Sequence, residues 1–215
     1  MCAVLGLYND NGIDNILLKN LLNQSMIRGK HATGIAWNNK GKLEYDIFTS
    51  SADKYDIPDI KTNMLIAHCR YSTSDLEYNQ PITDKNLAIV HNGVITQSDP
   101  ATWSNTYDMQ FNTKNDSEIV LRHWQKKTHP INIKGSMAVI VLDMVNENKI
   151  HFFRNEQRPL YWAKHKNHYV ITSTKDIMKR SNINNVNKTE SCKDYSIHDG
   201  LLNDALVRDC LGDLQ

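Results

Sequence analysis

Short apolar runs separated by polar segments make up most of the chain, and their lengths are typical of β-strands. Runs of four to eight apolar or alternating residues favour strands over helices, because strands in globular domains have these lengths. The predicted strands cover residues 1–7, 42–48, 64–69, 87–91, 137–142, 149–154, 158–162 and 169–172. Many short strands with few helical segments between them indicate an α+β domain.

Three segments have the spacing of amphipathic helices. Residues 14–26 carry apolar side chains three and four positions apart, which predicts a helix with one buried face. Residues 115–126 predict a second helix, and residues 201–214 predict a short terminal one. The asparagine-rich residues 179–188 are predicted to be exposed, whereas Gly34 predicts a tight turn or a close backbone approach.

Composition and charge exclude several classes of protein. Over 215 residues the net charge is +1, so no general field attracts nucleic acid or an anionic membrane. No apolar run approaches the ~20 residues of a membrane span, and the N-terminus lacks the pattern of a signal peptide. The chain also lacks nucleotide-binding glycine motifs and metal-type cysteine spacing. We therefore expect one cytoplasmic domain over residues 1–215, with reduced thiols and neither metal nor cofactor.

The second residue of the chain is a candidate nucleophile. Cys2 follows the initiator Met1, and cysteine is small enough at that position to permit removal of the methionine. Trimming would leave Cys2 with a thiol of pKa about 8.5 and an α-amine of pKa about 7.7–8.0, which is suited to act as a base near neutral pH. The two groups together form a nucleophile with its own base. Taken alone, a cysteine at this position is more often incidental.

Two predicted strands deliver polar residues at their ends. The strand over 64–69 leads into Arg70, Tyr71, Ser72 and Thr73, and the strand over 87–91 leads into Asn92 and Gly93. An Asn-Gly pair most often marks a tight hairpin turn, which is the structural alternative here. Asp116 precedes a predicted helix, where aspartate commonly serves as an N-cap.

Nine segments of the chain together resemble the glutaminase domain of class II glutamine amidotransferases, which are N-terminal nucleophile hydrolases. Glucosamine-6-phosphate synthase and amidophosphoribosyltransferase carry such domains. The matching segments occur in the order and at the separations typical of that family, and they cover residues 1–178. They are MCAVLGLY, IRGKHATGIA, IAHCRYST, NQP, IVHNGVIT, NDSE, KGSMAVIVLD, RPLYW and VITST. Each segment alone is a weak signal, but the combination is specific.

The resemblance implies a four-layer αββα sandwich and a role for each matching residue. Cys2 would attack the side-chain amide carbon of L-glutamine, and its α-amine would carry the proton to the departing ammonia. The side-chain amide of Asn92 and the backbone N–H of Gly93 would form the oxyanion hole. Arg70 would bind the α-carboxylate of glutamine, because a planar guanidinium suits a carboxylate.

The remaining implied contacts complete a site for a free amino acid. Asp116 would pair with the α-ammonium of the substrate, and Thr73 and the backbone near Tyr71 would line the pocket. The sequence departs from the family pattern at Ala3 and Cys69, and at positions 74–75, without losing a proposed catalytic group. His31, His68 and His91 have no metal-binding spacing, so we expect hydrogen bonds to satisfy their rings.

The resemblance leaves the use of the ammonia open. Family members usually carry a synthase domain that consumes it, and no such domain is expected within 215 residues. We therefore expect a stand-alone glutaminase that passes ammonia to a separate acceptor enzyme, with residues 179–215 as an unassigned tail. One alternative is a cysteine hydrolase acting on another amide, either a γ-glutamyl compound or an acyl amide. The other is a catalytically silent regulatory homologue.

Overall fold

The computed structural model describes residues 1–72, 77–145 and 148–207, and these contain thirteen strands and four α-helices. The strands are β1 (Ala3–Tyr8), β2 (Ala32–Asn39), β3 (Lys42–Phe48), β4 (Met64–Arg70), β5 (Ile82–Asp84), β6 (Leu87–Val94), β7 (Ser136–Asp143), β8 (Lys149–Arg154), β9 (Tyr161–His165), β10 (His168–Thr172), β11 (Asn187–Lys188), β12 (Lys193–His198) and β13 (Leu201–Leu206). The helices are α1 (Asn15–Ser25), α2 (Trp103–Tyr107), α3 (Ser117–Gln125) and α4 (Lys175–Arg180). No helix in the described ranges is long and apolar enough to cross a membrane.

The strands form two antiparallel sheets. The first sheet has the order β11-β9-β10-β1-β4-β2-β3, and the second has the order β13-β12-β8-β7-β6-β5. β1 lies inside the first sheet, between β10 and β4, and β6 lies between β5 and β7 in the second. The start of β1 and the ends of β4 and β6 are therefore held by neighbouring strands.

Alternation along the strands separates the core into three apolar layers. Between the sheets, the first sheet contributes Val4 and Ile66, and the second contributes Val90 and Ile140. On the outer face of the first sheet, alternate β1 residues pack against α1 and α4. On the outer face of the second sheet, β6 and β7 pack against α3. The expected four-layer αββα sandwich is confirmed.

The first helix follows from local signals in the sequence. Asp14 caps α1, because its Oδ1 accepts hydrogen bonds from the backbone N–H groups of Ile16 at 2.8 Å and Leu17 at 3.4 Å. Leu18 and Leu21 of this helix are fully buried against the first sheet. The helix predicted over residues 14–26 is confirmed.

Gly34 lies where two backbone segments meet closely. A Cβ atom built at Gly34 would overlap the carbonyl oxygen of Gln80, so no other residue fits without moving the chain. This contact joins β2 to the segment that precedes β5. The predicted close approach at Gly34 is confirmed.

The helix predicted over residues 201–214 is wrong for its first half. Residues 201–206 form β13, which pairs with β12, and residues 208–215 lie outside the described part of the chain. Asp199 and Gly200 both have positive φ, 46° and 68°, as a two-residue hairpin loop of the primed type requires. The Asp-Gly pair at 199–200 is therefore a stronger signal for a hairpin than the apolar spacing of residues 201–214 is for a helix.

The exposure predicted for residues 179–188 holds only in part. Most of this segment is exposed, but Ile183 is fully buried and packs with α1 and α4. Ile183, together with the partly buried Val186, joins the segment to the outer layer of the first sheet.

Candidate active site

A cavity of about 460 Å³ opens at the end of the sandwich where β1 begins and β4 and β6 end. Its lining includes five residues that the sequence predicts for the site: Cys2, Arg70, Tyr71, Gly93 and Asp116. His68, His91 and Trp103 also line it. The structure thus brings together residues that are more than a hundred positions apart in sequence.

Strand register sets Cys2 beside Arg70. In the β1–β4 pair, Ala3 lies opposite Cys69 and Val4 opposite His68, so Cys2 falls opposite Arg70. Val4 belongs to the layer between the sheets, and Cys2, two residues earlier, continues on the same face. The thiol and the guanidinium therefore extend from neighbouring strands into one space.

The backbone around Cys2 is held on several sides. Arg28 Nε donates a hydrogen bond to the carbonyl oxygen of Cys2 at 2.8 Å, and burial lowers the pKa of Arg28. The Cys2 thiol lies 3.8 Å from the carbonyl oxygen of Tyr71, close enough to donate to it. Two residues on, Val4 N donates to Ser173 Oγ at 2.7 Å. Met1 precedes this anchored segment and is 67% exposed.

Asn92 and Gly93 lie within a strand, so the hairpin-turn interpretation of this pair is wrong. Both belong to β6 and pair with Ala138 and Met137 of β7. Asn92 is buried, and its Nδ2 has no hydrogen-bond partner among the described residues. Position 92 shares the face of Val90, which points between the sheets. A buried amide donor without a partner is rare in folded proteins and calls for a ligand or a water.

The position of Gly93 is set by the neighbouring strand. A Cβ atom at this position would overlap the carbonyl oxygen of Ser136, which explains the glycine. His91 N donates to Gln80 Oε1 at 2.6 Å, on the side of β6 away from β7. Because N–H groups two residues apart point the same way along a strand, the Gly93 N–H also points away from β7. It is thus turned toward the open edge of the strand.

A buried network of three side chains fixes the strand that carries Asn92 and Gly93. His91 Nδ1 lies 2.9 Å from Ser117 Oγ, and His91 Nε2 lies 3.2 Å from the carbonyl oxygen of Ser136. Gln80 Nε2 donates to Ser117 Oγ at 3.0 Å and to the carbonyl oxygen of His91 at 3.1 Å. Burial lowers the pKa of His91, so its ring is neutral, with Nε2–H donating to Ser136.

Sequence reasoning assigned no role to Gln80 or Ser117. Both lie within matched segments, NQP and NDSE, so the signal was present in the chain. Their contacts with His91 join residues 11 and 26 positions apart, which no local pattern encodes.

Arg70 and Tyr71 form one side of the cavity. Arg70 donates to the carbonyl oxygen of Tyr78 and to Asn79 Oδ1, each at 2.8 Å, which fixes part of the guanidinium. The Tyr71 ring is half exposed and lies 5.0 Å from the ring of His31. Thr73, the other predicted binding residue on this segment, lies outside the described residues.

Asp116 also lines the cavity, and its side chain does not cap α3. Asn115 Oδ1 instead accepts the hydrogen bond from Ser117 N, at 3.0 Å. Asp116 Oδ2 accepts from Ile95 N at 2.6 Å and from Thr96 N at 3.3 Å. Asp116 therefore occupies the N-cap position of α3, but its carboxylate is oriented by the chain that continues from β6 and does not cap the helix.

The expectation that hydrogen bonds satisfy the three histidines holds for two of them. His31 Nδ1 accepts from Ser72 N at 2.8 Å, and His91 has the network above. His68 is 1% exposed, and its Nε2 has no partner among the described residues. Within the described ranges, no three His, Cys, Asp or Glu side chains are grouped as metal ligands would be.

Burial of His68 makes stability depend on pH. Desolvation, followed by the charge of Arg70, lowers the pKa of His68 from 6.5 to about 3. Between these values the unfolded chain binds a proton that the folded chain does not, so stability rises with pH in this window. The contribution of neutral His68 to the free energy of unfolding is fully present above about pH 6.5, and it is lost as the pH falls toward 3. The lowered pKa values of His91 and His168 act in the same direction.

We therefore expect the urea midpoint of unfolding to be lower at about pH 5 than at about pH 7.5. His68→Gln removes one of the titrating groups and should reduce this difference. Equal pH dependence in the wild type and His68→Gln would show that His68 is not buried as a neutral ring.

Comparison with known proteins agrees with this geometry. A family model for the glutamine amidotransferase domain matches residues 68–180. The glutamine–fructose-6-phosphate aminotransferase of Bacillus cereus is 25% identical over 193 residues, which are 80% of this chain and 32% of that protein. The enzyme of the same name from Wigglesworthia glossinidia brevipalpis is 29% identical over 154 residues, 66% of this chain and 24% of that protein. The chain thus spans about a third or less of these relatives.

Solved structures show the same fold. Glutamine phosphoribosylpyrophosphate amidotransferase from B. subtilis superposes with a TM-score of 0.80 at 19% identity, over 96% of this chain and 49% of that chain. A glutamine aminotransferase class-II domain protein from Silicibacter pomeroyi gives a TM-score of 0.60 at 10% identity, over 96% and 99% of the two chains. With the family model matching more than half of its residues, the chain belongs to the class II glutamine amidotransferase domain family, whose members have the N-terminal nucleophile hydrolase fold.

Proposed function

We propose that this domain hydrolyses the side-chain amide of L-glutamine to glutamate and ammonia through a thioester on Cys2. The observation that carries the proposal is the placement of Cys2 opposite Arg70 at one cavity, which Asp116 also lines. One cation and one anion in the same cavity as a nucleophile match the charges of a free amino acid. The family membership supports the same substrate.

The reaction begins with removal of Met1, whose exposure leaves it accessible to an aminopeptidase. The freed α-amine of Cys2 takes the thiol proton, and Sγ adds to the amide carbon of glutamine. The tetrahedral intermediate then collapses, its C–N bond breaks, and the α-ammonium returns the proton to the departing ammonia. Water next adds to the thioester, releasing glutamate and restoring the thiol.

The oxyanion formed in both halves of the reaction needs hydrogen-bond donors. The unpartnered Nδ2 of Asn92 and the N–H of Gly93 suit this role, since both lie at the end of β6. The His91 network fixes that strand and so orients both donors before substrate binds. Such preorganisation lowers the cost of stabilising charge as it develops.

Binding of the α-carboxylate is assigned to Arg70 and of the α-ammonium to Asp116, with Tyr71 and Thr73 completing the pocket. The hydrogen bonds of Asp116 to Ile95 and Thr96 fix one carboxylate oxygen and keep its charge directed at the cavity. Arg70 is likewise restrained by Tyr78 and Asn79. Both charges are therefore held in place before glutamine binds.

We further propose that residues 1–215 act as one domain in the cytoplasm and deliver ammonia to a separate acceptor enzyme. Free ammonia is protonated at neutral pH and is then no longer a nucleophile, which favours docking over release.

Replacing Arg70 tests the substrate class. In the Met1-trimmed protein, Arg70→Lys should raise the KM for glutamine about tenfold, because a bidentate contact to the carboxylate is lost. Hydrolysis of a simple amide without an α-carboxylate should not respond. Glutamate release is measured in parallel for Arg180→Lys, a control variant that replaces a side chain with 55% exposure. An unchanged KM for glutamine in Arg70→Lys would favour an acylase, and no glutamate release by the trimmed wild type would favour a silent homologue.

A further inference from the structure

His68 is a buried polar side chain at the cavity that the mechanism above does not use. It is 1% exposed, it lines the cavity, and its Nε2 has no hydrogen-bond partner among the described residues. Leaving a ring nitrogen buried without a partner is costly, so the position calls for a bound group that completes it.

The strand register places His68 near the reacting atoms. Cys2 falls opposite Arg70 and Val4 lies opposite His68, so Cys2 and His68 are diagonal neighbours on one face of the first sheet. Diagonal pairs lie roughly 7–8 Å apart, within reach of long side chains. When glutamine binds with its side-chain amide carbon about 3–3.5 Å from Sγ, the attached amide nitrogen can lie between the thiol and the imidazole.

The hydrogen-bonding groups of the glutamine carboxamide decide which contact His68 can make. Its oxygen is an acceptor and is assigned to the donors of Asn92 and Gly93, whereas its NH₂ group has only donors. A neutral imidazole with its proton on Nδ1 presents a lone pair at Nε2, which accepts from such a group. Burial keeps the ring neutral, since the pKa of His68 is lowered to about 3.

We propose that Nε2 of His68 accepts a hydrogen bond from the amide NH₂ of bound glutamine and so selects the carboxamide over the carboxylate. This inference rests on the proposed glutaminase function. Glutamate carries only acceptor oxygens at neutral pH, so its carboxylate would face the lone pair of His68 without a proton between them. The same contact would thus bind the substrate and favour release of the product.

Kinetics of three variants test the proposal. His68→Leu removes the acceptor, His68→Gln keeps an acceptor oxygen, and His168→Leu is the matched control. His168 is also a buried histidine with one unpartnered ring nitrogen, but it lies in β10 beside Asp14 and Asn9. The quantities measured are kcat/KM for glutamine, the inhibition constant of glutamate and the thermal midpoint.

We expect His68→Leu to raise the KM for glutamine about tenfold with little change in kcat, while glutamate inhibits equally well or better. The ratio of the glutamate inhibition constant to the glutamine KM should therefore fall about tenfold, and His68→Gln should restore part of it. His168→Leu should lower the thermal midpoint and leave the ratio unchanged. A ratio in His68→Leu equal to that of the wild type would overturn the proposal and leave Nε2 to a bound water.

A second measurement does not depend on the folding of His68→Leu. In the Cys2→Ala protein labelled with ¹⁵N-histidine, glutamine should shift the signal of the unprotonated Nε2 of His68, and glutamate should not. The signal is assigned by its loss in Cys2→Ala/His68→Gln. A protonated Nε2 in the glutamine complex, or the same shift with both ligands, would overturn the proposal. Failure of the wild type to hydrolyse glutamine overturns the proposed function, whereas hydrolysis with an unchanged ratio overturns only the role of His68.

Discussion

Replacing Cys2 by alanine is expected to reduce glutamine hydrolysis at least about 10⁴-fold, because the thiol that forms the thioester is lost. In an amide-cleaving enzyme with a different nucleophile, loss of that group costs about 10⁶ in kcat, so the effect should dominate every other substitution. Glutamate release is measured on protein whose N-terminus has been verified by intact mass. Alkylation by a glutamine-mimicking diazo-ketone should add one label to the wild type and none to Cys2→Ala.

A second variant separates the thiol of Cys2 from its α-amine. Inserting one alanine between Met1 and Cys2 keeps the thiol but converts the amine into an amide, which cannot act as the base. This protein should be as inactive as Cys2→Ala. Cys192→Ala, altered one residue before the second-sheet strand β12, serves as the control and should retain the wild-type rate. Glutamine hydrolysis by the extended protein would contradict the proposed chemistry, whatever the activity of Cys2→Ala.

Much of the site could be predicted because each strand delivers its polar residues directly after an apolar run. Arg70 ends β4 and follows the apolar residues 64–67, so the run marks both the strand and the position of the guanidinium. Cys2 instead lies directly before the apolar run that forms β1. The pairing of β1 with β4, which the structure shows, then brings Cys2 and Arg70 together. The roles of these residues remain proposals until they are tested.

The errors occurred where tertiary pairing overrides a local signal. Asn92 and Gly93 have the composition of a hairpin turn, but β6 continues through both because β7 pairs with them and Ser136 leaves no room for a side chain at position 93. At residues 201–206 the apolar spacing fitted a helix, yet Asp199 and Gly200 close a hairpin onto β12. A pattern within one segment cannot show whether a partner strand lies beside it.

The second large effect is expected at Asn92. Asn92→Ala should lower kcat about 10²–10³-fold with a smaller change in KM, because the lost donor stabilises the charged oxyanion far more than the neutral amide oxygen of bound glutamine. This corresponds to about 2.7–4 kcal/mol of transition-state stabilisation. Asn92→Asp has nearly the same shape and should be at least as severe, since a carboxylate would face the developing negative charge.

Stability measurements distinguish this role from a structural one. Nδ2 of Asn92 makes no hydrogen bond with the described residues, so its removal breaks no hydrogen bond within the folded protein. The urea midpoint of Asn92→Ala should therefore stay close to that of the wild type. Asn9→Ala is the control: Asn9 Nδ2 donates to the carbonyl oxygen of Gly12 at 2.6 Å, beyond the opposite end of β1. That variant should lose about 1–3 kcal/mol of stability and keep its kcat. If Asn92→Ala instead lost stability while kcat changed less than tenfold, Asn92 would be a structural residue and the oxyanion would need another donor.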